Sequence, residues 1–446
     1  MITLQERVHS TVPPASWKRT KLHRVLRARR GNKNEGMAEQ NLLSLSYGRI
    51  VRKDIEASEG LLPESFETYQ IVEPGDIVMR LTDLQNDKRS IRQGLVRERG
   101  IITSAYDALE VPDDDDPRFW AYALLALDLA KYYYSLGGGV RQSIKFSDFP
   151  NDWIARPSGD HQNAIADFLD RETALIDQLI EKKQRQCNLI AHKLEASRDS
   201  LVCHGLAPSA PKKQSGVEWF GDVPAHWIVC RFNRLIDSKV DYRGRTPQKV
   251  DEGIFLVTAR NIRDGKIDYD RSQEYTTTED WDLLSARGAP SIGDVIFTTE
   301  APLGQIAQVD RTDVAFAQRI IKFRAKSSLV SNDYLAELMM TTSFQRSLQL
   351  FSSGSTASGI KSERLAHLFG LAPPAQEQAE IVKVVRSLAE ESKTVSESVL
   401  ASVELLREFR SALITAAVTG QIDVTTWGKQ GQTDRRLEKI QEEMGA

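Results

Sequence analysis

The 446-residue sequence matches itself at a shift of 210 to 218 residues, and a repeat of that size sets the architecture before any single motif is read. PASW (Pro14 to Trp17) returns as PAHW (Pro224 to Trp227) at a shift of 210. After each, Leu22, Arg24 and Val25 face Phe232, Arg234 and Leu235. GDIV (Gly75 to Val78) returns as GDVI (Gly293 to Ile296) at 218, and GGGVRQSIK, ending at Lys145, matches SGSTASGIK, ending at Lys361, at 216. Pro157, His161, Gln162 and Ile165 align with Pro373, Glu377, Gln378 and Ile381 at the same shift of 216. Each match is weak alone. Unrelated sequence would scatter them, whereas here they keep one order and nearly one shift.

Each copy divides into a globular part and a helix. The globular parts carry short β-branched and aromatic runs between turn residues: GDIVMRL, RGIITSAY, GIFLVTA and GDVIFTT read as strands. DPRFWAYALLALDLAKYYYSL and NDYLAELMMTTSFQRSLQLF read as mostly helical. The expected fold class is therefore α/β (α+β), in two copies related by an internal pseudo-two-fold repeat. APSAPKKQS (Ala207 to Ser215) is a linker opening the second copy. The expected boundaries are 1–156 and 207–372 for the globular regions, 157–206 and 373–420 for the spacer helices, and 421–446 for a tail whose RRLEKIQEEM reads as a short helix.

From His161 to His204 there is neither proline nor glycine. Apolar positions at Ile165, Leu169, Ile176, Leu179, Cys187, Ile190, Leu194 and Leu201 follow steps of three and four, interrupted by Glu172 and Lys183. The second copy gives Ile381, Val385, Leu388, Val395, Val399, Val403, Leu406, Leu413 and Ala417, with Gly420 standing where Gly205 ends the first. Such spacing predicts two long antiparallel coiled-coil helices that pack on each other and separate the globular regions. A helix of that kind is about 66 Å long, too long to bury its stripe on its own small globular region. The other arrangement is that each helix folds back on its own domain.

Composition removes several classes. Apolar residues are 41% and charged residues 27%, an ordinary globular mixture. No apolar run is long enough to span a membrane, and MITLQERVHSTVPPASWKR has no apolar leader, so the expected location is cytoplasmic. Cys187, Cys203 and Cys230 form no CxxC pair, which supports neither a disulfide framework nor a zinc site. No dinucleotide, P-loop, zinc-protease or serine-hydrolase motif occurs, and the seven histidines have no ligand spacing. Asp113 to Asp116 read as a solvated loop rather than a metal site, and Gly137 to Gly139 as a turn rather than a phosphate cradle. The expectation is a chain with no catalytic residues, no metal and no cofactor of its own.

Basic clusters are the positive signal. Residues 17 to 33 hold Lys18, Arg19, Lys21, Arg24, Arg27, Arg29, Arg30 and Lys33 with no acid. Arg80, Lys88, Arg89, Arg92, Arg97 and Arg99 follow, with Gln85 and Asn86 among them. In the second copy Lys239, Arg243, Arg245 and Lys249 surround the turn RGRTP; Arg260, Asn261, Arg263 and Lys266 follow a strand; and Gln318 and Arg319 sit in AFAQRII. Clustered arginine neutralises phosphates, and Arg, Asn and Gln can pair with base edges.

The order Pro-x-x-Trp, central Gly-Asp-Ile/Val strand, Gly/Ser loop ending in Ile-Lys, and proline-led helix opening with Glu-Gln-x-x-Ile resembles the specificity subunit of type I restriction-modification enzymes over nearly the whole chain. PPAQEQAEI (Pro373 to Ile381) and RSALITAAVTGQID (Arg410 to Asp423) carry the likeness in the second copy, as do RGRTPQKVDEGIFLVTARNI and GDVIFTTEAPLGQIAQVD. LLSLSYGRIVRKDIEASEG and GDIVMRLTDLQNDKRSIRQG carry it in the first, where Asp160-His161-Gln162 departs from the Glu-Gln pattern. The resemblance implies two target-recognition domains, each reading half of a bipartite, asymmetric sequence in double-stranded DNA. It implies that the paired helices act as a spacer and dock two DNA adenine methyltransferase (modification) subunits carrying S-adenosylmethionine. Restriction (motor/nuclease) subunits, using ATP and Mg, would join through them. The candidate DNA-binding residues are Tyr47, Arg80, Gln85, Asn86, Lys88, Arg89 and Arg92 in the first copy. In the second they are Arg243, Arg245, Thr246, Arg260, Asn261, Glu300, Gln318 and Arg319. The seam candidates are Ile165, Leu169, Ile176, Leu179, Ile190, Leu194, Ile381, Val385, Leu388, Val399, Leu406 and Leu413. The competing reading is a protein-interaction scaffold: duplicated domains on a coiled coil that bind proteins only.

Overall fold

The computed structural model describes residues 2–54, 65–84, 91–136, 143–244, 246–352, 359–427 and Lys439. It contains two compact units, one of residues 1–185 with 398–446 and one of residues 186–397. Each unit is therefore one globular region, the start of its own long helix, and the end of the other.

The two units share a frame. In the first, a four-stranded antiparallel sheet runs in the order Arg27–Ala28, Asp107–Glu110, Ile77–Met79, Gln93–Leu95. In the second the order is Ile236–Asp241, Ile320–Ala325, Val295–Thr298, Ile306–Gln308. The buried apolar runs GDIVM and GDVIFT supply the central strand of each, and every residue of Ile77–Met79 and Val295–Thr298 is buried. The Gly-Asp turn explains itself at both positions. Gly75 has φ 95° and Gly293 φ 85°, a region that penalises a Cβ. Their N–H groups donate to Val96 O at 2.9 Å and Val309 O at 2.7 Å. The following aspartates are buried and cap the turn. Asp76 accepts from Glu73 N at 2.8 Å and from the Arg29 fork at 2.7 Å. Asp294 accepts from Ser291 N at 2.9 Å, Lys322 Nζ at 3.0 Å and Arg324 Nε at 2.8 Å.

Each frame is closed by pairing its first and last strands, Lys18–Lys21 with Trp153–Arg156 and Ile228–Arg231 with Phe369–Ala372. A glutamine at the start of each long helix ties that closure to a neighbouring helix. Gln162 bonds Pro157 O and receives Asp116 N–H, where Asp116 caps the helix Pro117–Leu129. Gln378 bonds Pro373 O and receives Ser331 N–H, where Ser331 caps Asn332–Met340. The second helical stretch is broken after Met340 because the Thr341 side chain caps a new helix, Thr342–Phe351.

The copies diverge in what is added to the frame. The first unit carries the hairpin Leu43–Ser46 with Arg49–Arg52, and the pair Gln70–Val72 with Gly100–Ile102. The second carries a further sheet in which Ile254–Val257 lies parallel to Val314–Phe316.

The long helices are Gly159–His204 and Ala375–Val418, of 46 and 44 residues. Neither folds back wholly on its own domain. Ile165, Leu169 and Ile176 join the core of the first unit together with Leu406, Leu413 and Ala417 from the end of the second helix, and Arg410 pairs with Asp177 at 2.9 Å. Ile381 and Val385 join the core of the second unit together with Val202 and Cys203 from the end of the first helix. Val399 is buried, whereas Leu179, Ile190, Leu194 and Leu388 are only half-buried and Val395 is exposed. The continuous seam expected from the spacing is thus uneven: burial is densest at the helix ends, where the globular cores supply the other walls, persists at Val399 and Val403, and thins at Leu388 and Val395.

Two smaller expectations change. Glu172, read as an interruption of the stripe, is buried with its carboxylate held by Arg171 at 2.8 Å. Of Asp113 to Asp116 the first two are exposed as expected, but Asp115 and Asp116 are buried, one paired with Arg156 at 2.9 Å and the other capping a helix. Gly137 to Gly139 and most of RRLEKIQEEM lie outside the described residues, while Ile422, Val424 and Trp427 pack on the first core.

Candidate nucleic-acid interface

In the second unit the parallel pairing of Val257 with Phe316 makes both strands leave the sheet at the same end. Three residues further on stand Arg260 and Arg319, both exposed, with Gln318 half-buried beside the latter. Arg319 pairs with Glu300 at 2.9 Å, and both side chains are about half exposed. Its carbonyl accepts from Thr299 N at 2.9 Å and Thr299 Oγ1 at 3.2 Å, which fixes the loop after Val295–Thr298 against it. Arg243 follows the edge strand Ile236–Asp241, where it forks onto Asp241 and donates from Nη1 to Ile360 O at 3.3 Å. Thr246 is exposed, and Arg245 lies outside the described residues. Backbone bonds therefore gather Arg243, Glu300, Gln318 and Arg319 into one polar face. Arg287 belongs to it as well, donating to Arg243 O at 3.1 Å; its isolated position in the sequence gave no sign of this.

Asn261 is not part of that face. It is fully buried: its Oδ1 accepts from Thr258 N at 2.9 Å, and its Nδ2 donates to Asp268 O at 2.9 Å and Ser272 O at 2.8 Å. The amide is saturated by the turn it holds together, which removes it from base contact.

In the first unit Tyr47 is 79% exposed at the tip of the hairpin. Tyr47 and Gly48 have φ 46° and 78°, the left-handed pair that a two-residue hairpin turn requires. A Cβ on Gly48 would stand 2.8 Å from Ile91 Cγ2, so the tip is braced as well as tight. A groove of about 1360 Å³ runs from this tip past the exposed Arg49 and Arg97. Neither arginine has an ion-pair partner among the described residues. Arg80 is half-buried, its N–H donating to Arg92 O at 2.7 Å. Gln85, Asn86, Lys88 and Arg89 lie outside the described residues.

Arg92 is corrected. It is fully buried, donating from Nε to Tyr134 OH at 3.2 Å and from Nη1 to Thr82 O at 3.1 Å, while its N–H donates to Asp128 at 2.8 Å. It anchors the loop rather than reaching outward. Two members of the 17–33 cluster are engaged internally: Arg29 with Asp76, and Arg19 with Glu6 at 2.9 Å.

Among the described residues no group of three or more His, Cys, Asp or Glu could hold a metal ion, and no helix is long and apolar enough to cross a membrane. Burial pushes the Cys203 thiol far above its usual range, and Cys230 is raised for the same reason. Neither thiol has the depressed pKa of a nucleophile.

Residues 251–404 match the family described as the type I restriction modification DNA specificity domain. No curated protein matches the chain. Among solved structures it is similar to a chain from work on complex assembly and conformational transition of a type I R-M system. That match has 15% identity and TM-score 0.62, covering 92% of this chain and 100% of that one. The HsdS subunit from Thermoanaerobacter tengcongensis matches at 13% identity over 92% of this chain and 98% of that one, with TM-score 0.48. The type I S subunit from M. genitalium matches at 13%, over 90% and 96%, with TM-score 0.32. Only the first is close enough to bear on the fold, and it supports the whole duplicated architecture. The family match falls on the second copy, the one that carries the polar face of Arg243, Glu300, Gln318 and Arg319. Residues 251–404 carry the similarity to the type I restriction modification DNA specificity domain, and the likeness to the first solved structure extends the shared fold over nearly the whole chain.

Proposed function

We propose that this chain reads a bipartite, asymmetric sequence in double-stranded DNA, one half-site per globular region, and catalyses nothing itself. The observation that carries this is the contrast between the shared frame and its additions. The two sheets have the same strand order, while the exposed polar groups stand on additions that differ between the copies: Tyr47 at a hairpin tip in one, Arg260 and Arg319 beyond a parallel strand pair in the other, of which the first copy has only the Leu42–Ile101 parallel bridge among the described residues. Unlike surfaces on like frames favour unlike half-sites. In this reading, side chains at strand ends with guanidinium or amide groups read base edges, and lysines hold phosphates.

The partners follow from the same reading. Two DNA adenine methyltransferase subunits dock on the long helices and bring S-adenosylmethionine, and restriction subunits using ATP and Mg join through them, in the cytoplasm. Exposed apolar side chains on those helices, Leu189 at 68% and Leu400 at 53%, suit such docking. The test is binding of duplex DNA to the chain assembled with its modification subunits, across a salt series. Log affinity should fall steeply with log salt; a flat response would favour the protein-only scaffold. Purified chain alone, given labelled S-adenosylmethionine and DNA, should transfer no methyl group.

A further inference from the structure

The Gly/Ser loop of each copy ends in Ile-Lys, and the structure gives that motif a location in both units. Ile144 is buried and its N–H donates to Leu81 O at 3.0 Å. Ile360 is buried and its N–H donates to Thr299 O at 3.0 Å. Leu81 and Thr299 stand just past the central strands Ile77–Met79 and Val295–Thr298. One residue beyond each buried isoleucine comes an exposed lysine, Lys145 or Lys361. Neither ammonium has a hydrogen-bond or ion-pair partner among the described residues.

The surroundings of Lys361 favour an anion. Arg243 donates to the carbonyl of Ile360 at 3.3 Å, and Lys239 Nζ donates to Ser362 Oγ at 2.9 Å. Beyond Asp241, two acids lie near Arg243: Glu300 is engaged with Arg319, and Glu363 is exposed two residues beyond Lys361. Around Lys145, Asp107 accepts Phe146 N–H and Asp148 accepts Lys145 N–H, each at 2.8 Å, and Asp107 is near enough to feel the charge of the ammonium. An ammonium is a compact point charge without the planar fork that reads guanine, so it suits a phosphate oxygen.

We infer that Lys145 and Lys361 are equivalent phosphate clamps, each gripping the DNA backbone beside the half-site that its own unit reads. The backbone bond from the preceding isoleucine fixes where the clamp stands relative to the central strand, so it sets the register of the contact. The inference rests on the DNA-recognition reading and adds two residues to it.

The experiment compares Lys145→Gln and Lys361→Gln with the unaltered chain, each assembled with its modification subunits, on cognate and single-base-substituted duplexes across a salt series. Releasing one condensed counterion predicts a slope of log affinity against log salt shallower by about 0.9 for each substitution. It also predicts about fivefold weaker binding at 0.15 M salt, equal on every duplex. The Lys→Arg variants should bind as the unaltered chain does. An unchanged slope in Lys→Gln, or a loss confined to one base position, would overturn the inference. If the unaltered chain shows no salt-dependent binding, the recognition reading itself fails, which is a different result. Unfolding midpoints of the exposed variants should match the parent; should either Gln variant unfold, Lys→Met reports the same loss of charge.

Discussion

Trp227 donates its indole N–H to Glu377 Oε2 at 3.0 Å, whereas its repeat counterpart Trp17 meets His161 edge-on with ring centroids 6.5 Å apart. Trp17 Nε1 is buried with no acceptor among the described residues. The two tryptophans otherwise occupy the same niche. A Cβ on Gly205, which ends the first long helix, would lie 3.2 Å from Trp227, and one on Gly420, which ends the second, would lie 3.1 Å from Trp17. Each Pro-x-x-Trp thus seals the glycine end of the helix arriving from the other copy. The single departure from the repeated Glu-Gln pattern leaves one buried donor unsatisfied.

His161→Gln should therefore stabilise the chain by about 1 kcal/mol by giving Trp17 Nε1 a neutral acceptor. Glu377→Ala should cost about 1–3 kcal/mol, since it strips the acceptor from Trp227 and from His226, which stands 2.8 Å away. Urea unfolding midpoints of the two variants check both signs; a destabilised His161→Gln would contradict the assignment.

Asp294 is 1% exposed and holds Lys322, 2% exposed, in an ion pair that Arg324 completes. Asp294→Asn leaves a buried ammonium without its carboxylate, which should cost about 3–5 kcal/mol. Burial alone would raise the Asp294 pKa, but hydrogen bonds from Arg324, Ser291 and Lys322 bring it below its ordinary 3.8. Its contribution is therefore complete above that value and fades as pH falls through the lower, folded one. Urea titrations at neutral and strongly acidic pH should show a smaller loss of stability on acidification in Asp294→Asn than in the parent.

Arg92 and Arg319 separate anchoring from reading. Arg319→Ala should leave stability within about 0.5 kcal/mol, because a half-exposed ion pair contributes little. If Arg319 reads a base, the same change costs about 1–3 kcal/mol of binding at one position of one half-site. Arg92→Ala, which empties a buried site and frees Thr82 O and Tyr134 OH, should lower the unfolding midpoint and weaken binding on every sequence alike. Competition assays on single-base-substituted duplexes, paired with unfolding curves, distinguish the two patterns.

The architecture was readable because duplication leaves paired marks. The Gly-Asp turns, the two helix-opening glutamines and the glycine stops serve backbone needs that recur in both copies, and aligned residues such as Gln162 and Gln378 make the same bonds. Individual binding residues were harder to read. Arg92 and Asn261 carry side chains suited to DNA, and only burial shows them saturated from inside. Lys145 and Lys361 were visible as the end of a repeated motif, but their backbone bonds to Leu81 and Thr299 appear only when the sheet is assembled. The seam followed from spacing at its ends and only in part in its middle, since spacing reports which side chains share a face and is silent on what covers it.

The helices also make a mechanical prediction. Inserting one helical turn, about four residues, into both at their half-buried middles should change the gap between half-sites and leave the half-sites themselves unchanged. A changed half-site would contradict the spacer role.

The most direct test of two unlike readers on one duplicated frame is sequencing of methylated adenines in DNA modified by this chain together with its modification subunits. The account predicts a single motif of two different half-sites separated by a fixed stretch of unspecified bases. A contiguous or palindromic motif would contradict it.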